Sequence, residues 1–94
     1  MNDRLHLDRI PAVLEQRGDG RSSLYLDIQR GIWTRPVRLG RSSAWPRHEV
    51  QALICARIAA ATTDQLRELV QDLYQRRSAM MPSLGDVLDQ RVDV

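Results

Sequence analysis

The chain contains no lysine: all 14 of its basic residues are arginines. Arginine suits bidentate contacts to phosphate and guanine, although codon usage in a GC-rich genome produces the same bias. Cysteine is reduced to Cys55, which excludes an internal disulfide. With only His6 and His48 beside it, no zinc-type ligand spacing exists, so neither a metal nor another cofactor is expected. A catalytic pairing of Cys55 with His48 would place both on one helix, and a lone cysteine on an alanine-rich helix reads as packing.

Long apolar runs are also missing. None approaches the roughly 20 residues that span a bilayer, and Met1 to Asp8 lacks the cationic start and apolar stretch of a secretory signal. A soluble, cytoplasmic protein without a membrane partner is the expectation. With 94 residues, 28% charged and 43% hydrophobic, the chain has room for one core of ordinary size.

The net charge of +2 is modest, but its distribution is not even. Ile28 to His48 carries Arg30, Arg35, Arg38, Arg41 and Arg47 with no acidic residue. Residues 62–94 set Arg67, Arg76, Arg77 and Arg91 against Asp64, Glu68, Asp72, Asp86, Asp89 and Asp93. The middle is basic and the C-terminal third slightly acidic.

Residues 1–9 alternate charged and apolar types without a turn signal and are read as irregular. Pro11 suits the first turn of a helix that ends at Gly18, with Arg17 favourably placed near its C-terminus. Gly18-Asp19-Gly20 is a tight turn, and Arg21 to Arg30 forms a second helix closed by Gly31. Leu24 and Ile28 share its apolar face, while Ser22, Gln29 and, near the edge, Tyr25 point away. Two short helices joined by a few turn residues make a helix-turn-helix.

Val37-Arg38-Leu39, then Gly40-Arg41-Ser42-Ser43 and Ala44-Trp45, predict a small β-hairpin with an arginine at its tip. Trp33 and Trp45 bracket that hairpin and are read as core rather than as base-stacking platforms. Pro46 starts a third helix with Val50, Leu53, Ile54, Ile58 and Ala61 along one stripe, which Arg57 interrupts. Thr63 caps a fourth, from Asp64 to about Arg77, whose Leu66, Leu69, Val70, Leu73 and Tyr74 fall at helical spacing. That stripe needs a partner, either the same domain or a second copy. The predicted organisation is a domain over 1–61, an amphipathic helix over 62–78 for packing or oligomerisation, and a mobile tail over 79–94. In fold class it is mainly α with a small β-hairpin.

Taken in order, Ile10-Pro11-Ala12-Val13-Leu14, Arg21-Ser22-Ser23-Leu24-Tyr25, Arg30-Gly31, Pro36-Val37-Arg38-Leu39-Gly40, Trp45 and Glu49-Val50 resemble the AlpA family of prophage regulators, over roughly residues 4–58. The resemblance implies a MerR-like winged helix-turn-helix, shared with small excisionases, and a role in transcription regulation or recombination directionality on a prophage or mobile element. The chain departs from the family at Asp19-Gly20 in the turn, at Leu26 in place of an arginine and at Asp27 in place of an apolar residue. It is also tighter between Gly40 and Trp45.

In the pose that the family implies, double-stranded DNA is the partner, recognition helix 20–30 enters the major groove and segment 35–45 is the wing. Arg21 reads guanine or clamps a phosphate, and Ser22, Ser23 and Gln29 lie on the same helix, Ser22 and Gln29 reaching base edges. Tyr25 gives its hydroxyl to a phosphate while its ring closes the edge of the core. Arg38 and Arg41 grip backbone or enter a minor groove, with Arg30 and Arg35 as further phosphate ligands. One such domain offers limited contact area, so self-association on DNA is expected, and an integrase or RNA polymerase is a candidate partner. Such a protein would be nucleoid-associated.

Two other classes stand beside this. Leu26 and Asp27 would suit a protein-interaction adaptor or anti-repressor that never touches DNA. Glu49 beside His48 is the only adjacent acid-base pair, but it has no nucleophile or metal partner, so no catalytic residue is assigned and no enzyme is expected.

Overall fold

Two glycines set the local geometry around which the chain is arranged. Gly18 adopts φ 77°, the left-handed conformation that closes a helix, and donates its N–H to the Leu14 carbonyl at 2.8 Å. Gly40 adopts φ 63° at the first central position of a two-residue hairpin turn, where a type II′ turn requires glycine. The computed structural model describes residues 6–80. Its elements are β1 (Leu7–Arg9), α1 (Ile10–Arg17), α2 (Arg21–Gln29), β2 (Val37–Leu39), β3 (Ser42–Pro46), α3 (Arg47–Ile58) and α4 (Thr63–Ala79). The molecule is mainly helical with one small antiparallel sheet, in strand order β1-β3-β2.

The predicted hairpin is present, with Val37 opposite Ala44, Arg38 opposite Ser43 and Leu39 opposite Ser42. It has a third strand that the irregular reading of residues 1–9 missed: Leu7, Asp8 and Arg9 pair with Pro46, Trp45 and Ala44. The alternation misleads because it is inverted. The apolar Leu7 is 45% exposed, whereas Asp8 points inward and is 4% exposed. A buried carboxylate is costly unless it is paired and hydrogen-bonded. Arg47 supplies the pair at 2.9 Å, and Gln16 adds a hydrogen bond at 3.1 Å. The bond from Arg47 is the main cause that holds the Asp8 carboxyl below its ordinary pKa, against the opposing effect of burial.

The core is a single cluster of Val13, Leu24, Trp33, Trp45, Val50, Leu53, Val70 and Leu73. Both tryptophans are fully buried, as expected. The Trp45 indole N–H donates to the Thr34 carbonyl at 2.8 Å, which satisfies its polar end. Helix α4 turns its stripe inward: Leu66, Val70 and Leu73 are buried, and Leu69 and Tyr74 pack against the cluster. Its partner is therefore the rest of this chain.

Several boundaries differ from expectation. Thr62, not Thr63, caps α4, because Thr62 and Gln65 form a reciprocal capping box at 3.1 and 2.8 Å. The stripe of α3 stops at Ile54: Ile58 is 79% exposed, and the helix ends where Ala60 takes φ 59°. Cys55 is exposed rather than packed, since it falls on the solvent side of α3 between buried Leu53 and partly buried Ala56. The predicted tail begins within structure at Ala79 and Met80, the end and C-cap of α4. Residues 1–5, the start of the stretch read as irregular, and residues 81–94 of the predicted tail lie outside the described residues.

The least expected tie is between α4 and the segment before β2. Tyr74 Oη accepts the Arg35 backbone N–H at 2.8 Å, and Arg77 Nη2 donates to the Arg35 carbonyl at 2.8 Å. Arg77 also makes a two-point pair with fully buried Glu49, at 2.6 and 2.7 Å. Tyr74→Phe should cost about 1 kcal/mol, the net worth of one hydrogen bond. Urea unfolding checks this, together with faster hydrogen exchange at the Arg35 amide.

Candidate nucleic-acid interface

Arginines separate into two sets by their partners. Among the described residues, Arg17, Arg47, Arg57, Arg67, Arg76 and Arg77 each meet a carboxylate within 4.0 Å. Arg9, Arg21, Arg30, Arg35, Arg38 and Arg41 meet none, and all six are exposed. Five of these six are arginines nominated from the sequence. The sixth, Arg9, was missed together with the strand that carries it.

Helix α2 explains which of its residues are presented. Its N-cap Gly20 has no side chain, and its first turn holds no acidic residue, so its early N–H groups meet no carboxylate of the same helix. Leu24 and Asp27 are buried and Ile28 is half-buried, which leaves Arg21, Ser22, Ser23, Tyr25, Leu26, Gln29 and Arg30 exposed. Tyr25 departs from expectation. It is 42% exposed and outside the core cluster, whose edge is closed by Tyr74. Tyr25 therefore lies on the outward side of α2.

Asp27 belongs to the other side of this helix. It takes Arg17 and Arg57, each at 2.7 Å, and those two guanidinium groups lie over the Trp33 ring at 4.4 and 5.3 Å. Arg17 also binds Asp19 in the turn at 2.7 Å. Two departures noted in the sequence are thereby accounted for: Asp27 fills an apolar position, and Arg57 interrupts the α3 stripe to reach it. Burial raises the Asp27 carboxyl, but the hydrogen bonds and charges of both arginines outweigh it and hold the group below its ordinary value.

The hairpin brings Arg41 beside Arg21. They line one open cleft of about 240 Å³ together with Arg9, with Ser42 and Ser43 on β3, and with Ile10 and Pro11 at the start of α1. Two of its hydroxyls steady cations: Arg9 Nη1 donates to Ser42 Oγ at 3.2 Å, and Arg38 Nη1 to Ser43 Oγ at 3.4 Å. Arg30 and Arg35 are not part of this cleft. The Arg30 carbonyl accepts from Arg67 Nε at 3.1 Å, and the Arg35 backbone is held by Tyr74 and Arg77, so both sit where α4 meets the loop after α2.

Comparison with known protein families, curated proteins and solved structures gives no match for this chain. Among the described residues no three His, Cys, Asp or Glu side chains gather to hold a metal, and no helix is long and apolar enough to cross a membrane. Glu49 is fully buried with both oxygens held by Arg77, so it cannot act with His48 as an exposed acid-base pair. Beside its cations and hydrogen-bonding groups, the exposed face carries Tyr25, Leu26 and Leu39.

Proposed function

We propose that this chain is a sequence-specific double-stranded DNA-binding protein. In this reading α1, its short turn and α2 form a helix-turn-helix, and β2–β3 is the wing, in keeping with the AlpA resemblance. The observation that carries it is the segregation of arginines. Among the described residues, the six without a carboxylate partner all lie between residues 9 and 41, where Arg17 alone is paired, while those of α3 and α4 each meet a carboxylate. A guanidinium with no carboxylate beside it presents an uncompensated charge to a phosphate, whereas the charge of a paired one is partly compensated.

Ser22, Ser23 and Gln29 are the side chains that α2 offers to base edges, Arg21 reads guanine or clamps a phosphate, and Tyr25 offers a hydroxyl to a phosphate. Arg38 and Arg41 hold the backbone beside the helix, and Arg30 and Arg35 extend the track of cations. As an excisionase or transcription regulator of a prophage or mobile element, in the bacterial cytoplasm and nucleoid, such a protein would act in several copies alongside an integrase or RNA polymerase.

Fluorescence anisotropy of a labelled 20-base-pair duplex at several KCl concentrations tests this. Four phosphate contacts would give a log–log slope near −3.6, so that affinity drops about 150-fold between 50 and 200 mM salt. A chain that does not bind, or that binds without salt dependence, is not the protein proposed. One observation favours a second reading: α2 exposes Leu26 (43%) beside Tyr25, a surface suited to a protein partner. An adaptor of that kind gives no salt-sensitive shift with any duplex.

A further inference from the structure

We infer that the cleft shared by Arg9, Arg21 and Arg41 is a seat for one phosphate group, supplied by the DNA backbone. The source of that phosphate rests on the DNA-binding reading above; the seat itself rests on its own geometry. Three cationic side chains reach it from three separate places, the end of β1, the first residue of α2 and the turn of the hairpin. Among the described residues no carboxylate lines it, and none of the three arginines is paired with one.

The lining narrows the occupant. The cleft is shallow and open, about 240 Å³, and its polar lining is arginine and serine, which suits an oxyanion met at the surface by several donors rather than an enclosed apolar ligand. The serines complete the donor set. Ser42 Oγ accepts from Arg9 and so keeps its own O–H to donate, and the same holds for Ser43 with Arg38. Arg9 is thereby held in place before a ligand arrives, which lowers the ordering cost of binding. In this arrangement a single backbone phosphate ties the recognition helix, the wing and β1 together, and fixes the register of α2 on the duplex.

The test uses the full chain and two probes, a 20-base-pair duplex and inorganic phosphate alone. On the duplex, Arg9→Ala should weaken binding about eight-fold at 0.1 M KCl and reduce the log–log slope by about 0.9, the share of one phosphate contact. Arg76→Ala removes an equal charge from α4 and should leave both quantities near those of the parent. Arg9 is exposed, and thermal unfolding of the variant confirms that the fold is retained. At constant ionic strength, inorganic phosphate should shift the amide resonances of Arg9, Arg21 and Arg41 in the parent and leave them unmoved in Arg9→Ala.

The arms separate the outcomes. If the duplex binds the parent and Arg9→Ala equally, or if Arg76→Ala loses as much, the seat is overturned and the DNA reading stands. If the duplex fails but phosphate shifts those amides, the seat stands with free phosphate as its ligand, and the DNA reading falls. Should neither probe engage, both fall.

Discussion

Replacing Arg38 and Arg41 together with alanine should cut affinity for any duplex about 60-fold at 0.1 M salt, and lower the log–log salt slope by about 1.8. The figure follows from counterion release: two phosphate contacts contribute a slope of about 1.8, which over the tenfold step from 1 M to 0.1 M is roughly 60-fold. Both side chains are exposed, and neither has a carboxylate to leave stranded. The loss in folding stability should therefore stay within about 0.5 kcal/mol, as for surface substitutions generally. The sequence preference of the protein should survive, because backbone contacts position the protein and carry no base information.

Gln29→Ala should do the reverse: it should erode discrimination at one base pair by about 1–3 kcal/mol and leave the salt slope in place. If the double arginine variant binds like the parent, the hairpin is not a wing in the functional sense.

The second large effect concerns Asp27. Asp27→Ala should destabilise the fold by about 3 kcal/mol, the low end of the cost of stranding one side of a buried ion pair. The low end applies because Arg17 keeps Asp19, and Arg57, whose side chain is 35% exposed, can turn to water. In a domain of this size that loss lowers the melting temperature by about 15 °C. Combining Asp27→Leu with Arg57→Leu should recover part of the loss of Asp27→Leu alone, since a buried pair can be exchanged for apolar contact at little cost. Strictly additive effects in that double-mutant cycle would show that the two residues do not act as a unit.

The pH dependence has a definite sign. A carboxyl whose folded pKa is depressed contributes stability that is complete above its unfolded pKa, about 3.9, and is lost as pH falls through the folded value. Asp27 and Asp8 are both of this kind. The urea midpoint of the parent should therefore be insensitive to these two groups from pH 5 to 8 and decline below about pH 4. Asp27→Ala should show a shallower acid decline.

Asp27 also shows how far a one-dimensional reading reaches. From the sequence it is an anomaly on a recognition helix, and it argued for an adaptor. In the folded chain it faces inward, because Arg17 and Arg57 lie within reach from α1 and α3. Arg57 had no account of its own for the same reason. Each residue of the pair looks misplaced until the other is beside it. Arg9 was passed over because residues 1–9 carry no turn signal and read as irregular, whereas Leu7–Arg9 form a strand whose inward position belongs to Asp8. The Tyr74 and Arg77 contacts to Arg35 have no local signal at all, since they link residues about forty positions apart.

The lack of lysine and the basic stretch from Ile28 to His48 were legible from the start. So were the helices, the hairpin and the burial of both tryptophans, because helical periodicity, turn glycines and alternation are short-range properties that the chain carries locally. Which arginines meet a buried carboxylate was decided only by tertiary structure. Pairing depends on where Asp8, Asp27 and Glu49 are brought, and composition treats all 14 arginines alike. Folding turns Arg17, Arg47, Arg57 and Arg77 to carboxylates that are themselves largely buried, and leaves Arg9, Arg21 and Arg41 together at one cleft, because guanidinium groups interact over a few ångströms of space rather than along the sequence.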